Sequence, residues 1–284
     1  MKNTIAIQGQ AGSFHDEVAS LYFPNLQQRI YAESFQEAFD AVDNESAAFG
    51  ISAIENSLAG SINQVYDLLL SRQLHIIGEH YLKITLCLLA AESVKLSTIK
   101  EVYSHPVALA QCSQYLDDHL PNAKRLEYHD TAAAAELVAD KLGVSAAAIA
   151  SPSAAALHSL VILAKNIEDN GNTHTRFIVF AKQPSDNPAN NKTSLVLQTS
   201  HKPGALYEAL GAFADNKINL SKLQSRPVPN EPWNYMFYID VEAGAHDNQL
   251  KKALMSLREQ GCRYTILGSY PAGEKQYKSS FTAK

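Results

Sequence analysis

"KQPSDNPANNK", Lys182 to Lys192, decides how the rest of the chain is read. It holds prolines and asparagines with no apolar periodicity, the composition of an exposed linker. Two different folding patterns meet there. On the C-terminal side, "TSLVLQT" reads as a strand, "GALYEALGAFADN" as a helix and "INLSKLQSRP" as a strand stopped by Pro227. "NYMFYIDVE" alternates as a strand, "NQLKKALMSLREQ" is amphipathic, and "CRYTILGSY" is a last strand. The order βαββαβ is that of a ferredoxin-like domain. The closing "PAGEKQYKSSFTAK" is polar and expected to be loosely ordered.

On the N-terminal side, short apolar runs alternate with amphipathic segments. "TIAIQ" reads as a strand, followed by a helix from about Ser13 to Phe23. "AAFGISAI" is a strand and "SINQVYDLLLSR" a helix. "EVYSH" precedes one helix, "PVALAQCSQYLDDHL", in which Pro106 suits the first turn. "HDTAAAAELVADKLG" opens on a capping residue and closes on Gly143. "AAAIAS" and "TRFIVFA" complete the strands. This alternation predicts an α/β region with a mostly parallel sheet.

With 284 residues the chain is long enough for two domains and a sizeable core without staples. A formal net charge of −5, with no basic stripe, argues against a nucleic-acid partner, although a few local cations suffice for a small anion. Cys87, Cys112 and Cys262 have no metal-type spacing and read as reduced thiols. The first residues read as a strand and not as a signal peptide. The longest apolar run, "ITLCLLAA", is short of the roughly 20 residues that span a bilayer. No membrane association is expected, and the protein is placed in the cytoplasm.

Four clusters offer chemistry. "GQAGSF", Gly9 to Phe14, joins the first strand to a helix, where glycines and free amides suit an anion; the competing reading is a tight turn capped by Ser13. Glu55, Asn56 and Ser57 sit at the carboxyl end of a strand, where open α/β sheets bind ligands. Ser104 and His105 stand before Pro106, with Gln111 further along the helix. "NTHTRF", Asn172 to Phe177, crowds polar groups where a strand enters the core. If pairing is regular from Thr175, Thr175 and Phe177 share one face and Arg176 points to the other.

Those stretches, with "YSHPVALAQC", "PGAL", "NLSKLQSRP" and "WNYMFYIDVE", resemble the monofunctional bacterial type of prephenate dehydratase over nearly the whole chain. The resemblance implies a two-lobed catalytic region, similar to periplasmic binding proteins, over 1–181. It places a linker at 182–192, an ACT domain over 193–271 and a polar tail from 272 to 284. The implied reaction is decarboxylating dehydration of prephenate to phenylpyruvate. Aromatisation drives it, so no metal, nucleotide or redox cofactor is expected. Thr175 is the expected hydrogen-bond donor to the leaving hydroxyl. Asn56, Ser57, Glu55 and the amides around Ser13 and Phe14 are expected to hold the substrate, with Ser104 and Gln111 completing the cleft. Arg176 and Phe177 belong to the same motif, Arg176 anchoring a carboxylate or bracing the lobe junction.

The ACT domain is expected to bind phenylalanine as a feedback inhibitor at the interface of a homodimer or homotetramer. Gly204, Ala205, Leu206, Asn219, Leu220 and the run Leu223, Gln224, Ser225, Arg226 and Pro227 are its candidates. Four positions depart from the family pattern: Ala53 replaces a proline, Gln224 a glutamate, and His15 with Asp16 stand where a serine or threonine and a histidine are common. Gln224 bears on the strength of phenylalanine binding, and His15 and Asp16 receive no role. The rival readings are an arogenate dehydratase and a two-lobed amino-acid sensor without turnover.

Overall fold

The computed structural model describes residues 3–92, 94–141, 145–228 and 234–274. Gly143 as a helix stop, Trp233 and residues 275–284 lie outside them. The chain runs β1 (Thr4–Gln8), α1 (Phe14–Tyr22), β2 (Gln28–Ala32), α2 (Phe35–Asp43), β3 (Phe49–Asn56), β4 (Gly60–Ser61), α3 (Asn63–Arg72) and β5 (His75–Lys83). It continues through β6 (Cys87–Ala90), β7 (Glu101–Ser104), α4 (Pro106–Gln111), α5 (Ser113–His119), β8 (Lys124–Glu127), α6 (Thr131–Lys141), β9 (Ala146–Ala150), α7 (Pro152–Leu157) and β10 (Val161–Lys165). After β11 (His174–Ala181) come β12 (Lys192–Gln198), α8 (Ala205–Asp215), β13 (Leu220–Pro227), β14 (Tyr235–Val241), α9 (Asn248–Glu259) and β15 (Arg263–Tyr270).

Three sheets result. The first has the order β2-β1-β3-β11-β5, with β4 beside β3. The second is β10-β6-β9-β7-β8 and the third β13-β14-β12-β15. The expectation of a mostly parallel sheet is corrected. In the second sheet β7 runs parallel to β8 and β9, whereas β6 pairs antiparallel with both β9 and β10. The third sheet is antiparallel throughout, with the expected βαββαβ order. The helix expected over residues 106–120 is two short helices that meet at Cys112, whose ψ of 18° breaks the regular turn. Strands β2, β5, β6, β8 and β10 and helices α2 and α7 complete the lobes beyond what periodicity indicated.

The cores follow from side-chain size. In the second lobe, Ala132, Ala134 and Ala135 of α6 meet Ala146, Ala148 and Ala150 of β9, and small side chains let helix and strand approach closely. Between the third sheet and helices α8 and α9, Leu195, Leu197, Phe213, Ile239, Leu250 and Leu257 form a core of larger apolar side chains. Every residue of β11 is buried, including His174, Thr175 and Arg176 at its start. Among the described residues no helix is long and apolar enough to cross a membrane.

The described chain divides into two compact units. One joins the residues before Asp67 to His80–Phe177; the other joins Asp67–Glu79 to Ile178–Glu274. Within the second unit, Gly268 lets β15 come up to the main chain of Ile76, since a Cβ there would stand 2.0 Å from the Ile76 carbonyl oxygen. Lys192, read as the end of an exposed linker, is buried instead. Its Nζ donates to Glu79 Oε2 at 2.8 Å and Oε1 at 3.0 Å and lies 3.8 Å from Asp240 Oδ2. Glu79 also accepts from the Gly273 amide at 3.0 Å. A lysine is tolerated in this place because two buried carboxylates face it.

Replacing Lys192 by Met should therefore remove the buried cation that faces Glu79 and Asp240 and cost about 3–5 kcal/mol. Urea unfolding of the second unit, followed by the fluorescence of its tyrosines, measures the loss. A change below about 1 kcal/mol would show that the pair is not the support described.

Candidate active site

Strands β3 and β11 lie side by side and carry the first cluster. At the end of β3 the chain turns, and Asn56 holds the turn: its Oδ1 accepts from the Leu58 and Ala59 amides, each at 3.0 Å. With both acceptor positions so used, the amide group has one orientation, and its Nδ2 donates to Thr175 Oγ1 at 2.9 Å. Next to it the Ser57 amide donates to the His174 carbonyl at 2.9 Å, and the His174 amide donates to Ser57 Oγ at 3.0 Å. Residues more than a hundred positions apart in sequence are thus fastened by three hydrogen bonds.

The bonds have a chemical consequence. Thr175 Oγ1 and Ser57 Oγ both act as acceptors, so each hydroxyl keeps its own proton to donate. Thr175 is buried while Ser57 is exposed, giving one sheltered donor and one at the rim. Arg176 points away from Thr175 along the strand and is buried, with its Nη1 3.8 Å from Glu55 Oε2. Phe177 is buried, its ring edge-on to His15 at 5.1 Å. Burial alone lowers the pKa of His15 to about 4, so the imidazole is neutral, and its Nε2 accepts from the Ala53 amide at 3.1 Å.

The other expected residues are placed differently. Ser13 caps α1 by accepting from the Asp16 amide at 3.3 Å. The Gly12 amide donates to Asp16 Oδ2 and the Ser13 amide to the Gln10 carbonyl, so much of the "GQAGSF" donor set serves the turn itself. Phe14 opens α1. This turn also carries the junction with the second lobe. Ser151 Oγ donates to the Gly12 carbonyl at 2.8 Å, and a Cβ on Gly12, whose φ is +78°, would lie 3.1 Å from Ala154 Cα. Ser104 is buried and its hydroxyl donates to the Ile149 carbonyl at 2.6 Å, which commits its proton to holding β7 against β9. Gln111 is half-buried at the end of α4, and its carbonyl accepts from the Asp169 amide at 2.7 Å. The structure thus brings together Glu55, Asn56, Ser57, Thr175 and Arg176, and leaves Ser13 and Ser104 in supporting bonds.

In the second unit the candidate ligand residues fall into two cavities. One, of about 790 Å³, is lined by Ala205 and Leu206 with His201, Lys202, Phe237 and Arg263; Gly204 stands at the N-cap of α8 beside it. The other, of about 490 Å³, is lined by Asn219, Leu220 and Leu223. Gln224, Ser225 and Pro227 lie on β13, and the Arg226 guanidinium is paired with Asp67 of α3. Asp67 also accepts from the Tyr238 hydroxyl at 3.3 Å. Asp67 was not singled out by its sequence context, and His15 was named only as a departure from the family pattern without a role, because nothing local distinguishes a helix-surface aspartate or a lone histidine from its neighbours.

Residues 5–185 match the family model for prephenate dehydratase and residues 193–259 the model for the ACT domain. An Arabidopsis thaliana arogenate dehydratase/prephenate dehydratase is 39% identical, over 94% of this chain and 72% of its own. The solved structure of prephenate dehydratase from Arthrobacter aurescens in complex with L-Phe is 34% identical, with a TM-score of 0.83 over 94% of this chain and 90% of that one. A structure described as a novel type of quorum quenching acylase is 32% identical, with a TM-score of 0.85 over 95% and 98%.

Asn56→Asp separates support from chemistry at this site. The carboxylate can still accept from Leu58 and Ala59, so the melting temperature should stay close to that of the parent. It cannot donate to Thr175 and would instead draw the threonine proton to itself. Turnover should fall by about 100-fold, the scale for losing one oriented donor. Steady-state kinetics beside thermal unfolding checks both halves, and an unchanged kcat would remove the Asn56–Thr175 bond from the mechanism.

Proposed function

We propose a substrate, a chemistry and a regulator on one premise: the chain belongs to the prephenate dehydratase family. It is accordingly a lyase of aromatic amino acid biosynthesis. Prephenate is the proposed substrate. In the reaction the bond from the ring to its carboxylate breaks and its electron pair moves into the ring. The ring carbon–oxygen bond breaks in turn, and the departing hydroxide takes up one proton. Phenylpyruvate, carbon dioxide and water account for all atoms.

The observation that carries this reading is the uncommitted proton of the Thr175 hydroxyl, whose oxygen accepts from the Asn56 amide at 2.9 Å. A hydroxyl so oriented can hydrogen-bond the leaving oxygen as charge develops on it. A threonine is too weak an acid to protonate fully, so its part is to polarise and position, with the proton coming finally from solvent. Ser57 offers a second donor at the rim, while buried Arg176, on the other face of β11 and facing Glu55, braces the strands beside the site. An acylase would need an attacking hydroxyl, yet the Thr175 oxygen already accepts from Asn56, which lowers its nucleophilicity.

For regulation we propose L-phenylalanine at the ACT domain. The larger cavity combines the basic His201, Lys202 and Arg263 with the N-terminus of α8, a setting for an amino acid carboxylate. Gly204 to Leu206 and Asn219 to Leu223 border different cavities, so one ligand meets both groups only where a second copy of the chain supplies one of them. A homo-oligomer paired through this domain supplies that arrangement. Arg226 is read as holding β13 to α3 and not as a ligand contact.

Purified protein assayed with prephenate, with arogenate and with an acyl-amide substrate tests the proposal. Prephenate should give phenylpyruvate at the highest kcat/KM, and added phenylalanine should lower the rate. Preference for arogenate would overturn the substrate, acyl-amide hydrolysis without dehydratase turnover would overturn the chemistry, and a rate indifferent to phenylalanine would overturn the regulator.

A further inference from the structure

We infer that His15 is a positioning residue for the dehydratase site, a neutral imidazole that holds the end of β3 and the start of β11 in register through one accepted hydrogen bond and one ring contact. The inference rests on the catalytic reading above and assigns a role to a buried group which that chemistry does not use.

The geometry is specific. His15 stands on α1 two residues after Ser13 and is buried, 9% exposed. Its Nε2 takes the Ala53 amide at 3.1 Å, three residues before Asn56. Its ring meets Phe177 at 5.1 Å with planes at 88°, an edge-on contact, two residues after Thr175. A second edge contact, to Phe35 at 6.0 Å, closes the ring in from α2. One side chain therefore touches both strands whose ends form the Asn56–Thr175 bond. It does so from the helix that opens on the lobe-junction turn.

The chemistry of the contact explains why a histidine serves here. The acceptor must be an unprotonated nitrogen, so the ring proton sits on Nδ1. An imidazolium would present N–H to the Ala53 N–H and break the contact. Burial among Phe35 and Phe177 disfavours that charge and holds the neutral form. An aliphatic side chain of similar volume would fill the space and leave the Ala53 amide without this acceptor. Glutamine can carry its Oε1 to the place of Nε2, whereas asparagine is one carbon too short.

The full chain is compared with His15→Leu, His15→Gln and His15→Asn. Two readouts are used: hydrogen exchange of peptides covering residues 53–57 and 173–177, and steady-state turnover of prephenate. His15→Leu should speed exchange in both segments and lower kcat by about tenfold or more while KM changes little, since misplacement of reacting groups falls on turnover. His15→Gln should return both readouts close to the parent. Parental exchange and kcat in His15→Leu would overturn the inference, as would equal impairment in His15→Gln. If His15→Leu does not fold, a parental His15→Gln beside an impaired His15→Asn supports it, and equal behaviour of the two overturns it. Should the parent chain itself fail to turn over prephenate, the catalytic reading falls, and the exchange comparison still decides whether His15 positions the two strands.

Discussion

The hydrogen bond from Asn56 to Thr175 is the constraint on which the site depends. It joins the end of β3 to the start of β11, and it works because the Asn56 carbonyl is already taken by two main-chain amides. The amide cannot flip without losing both of these, so the threonine always meets a donor. A hydroxyl that meets a donor turns its own proton elsewhere. The direction of one proton is thus set by a turn three residues long, and the turn is set by the strand before it.

Burial gives that proton its value. β11 runs through its sheet with every residue covered, so Thr175 and Arg176 lie where water is scarce and dipoles count for more. Covering an arginine is costly unless a carboxylate answers it, and Glu55 of the neighbouring strand does so. The same rule governs Lys192 between Glu79 and Asp240 in the other unit. The chain also ties those two regions covalently. Helix α3 starts seven residues after Asn56 and carries Asp67, the partner of Arg226, while β11 runs from Thr175 to the segment that ends at Lys192.

Much of this was legible in the sequence. The βαββαβ order was plain because strands of alternating residues and two amphipathic helices differ strongly in period. The stretches around Asn56 and Thr175 stood out as polar groups at strand ends. Four features could not be read. The antiparallel pairing of β6 depends on partners far away in sequence, and alanine-rich β9 looks the same whichever way its neighbours run. The break at Cys112 has no proline or glycine to mark it. Lys192 looks like a linker residue until Glu79, more than a hundred positions earlier, is placed beside it. Ser104 looks like a ligand donor until the Ile149 carbonyl takes its proton. Each is a fact of tertiary pairing, which single-sequence patterns do not carry.

The account holds that the Thr175 proton assists departure of the ring hydroxyl. Thr175→Val tests this most directly, because it removes the hydroxyl while keeping the branched shape of the side chain in its buried place. Single-turnover conversion of prephenate by the variant is predicted to slow by about 100-fold or more, with substrate binding close to that of the parent. A chemical step at the parental rate would contradict the assignment and send the search for the donor back to Ser57.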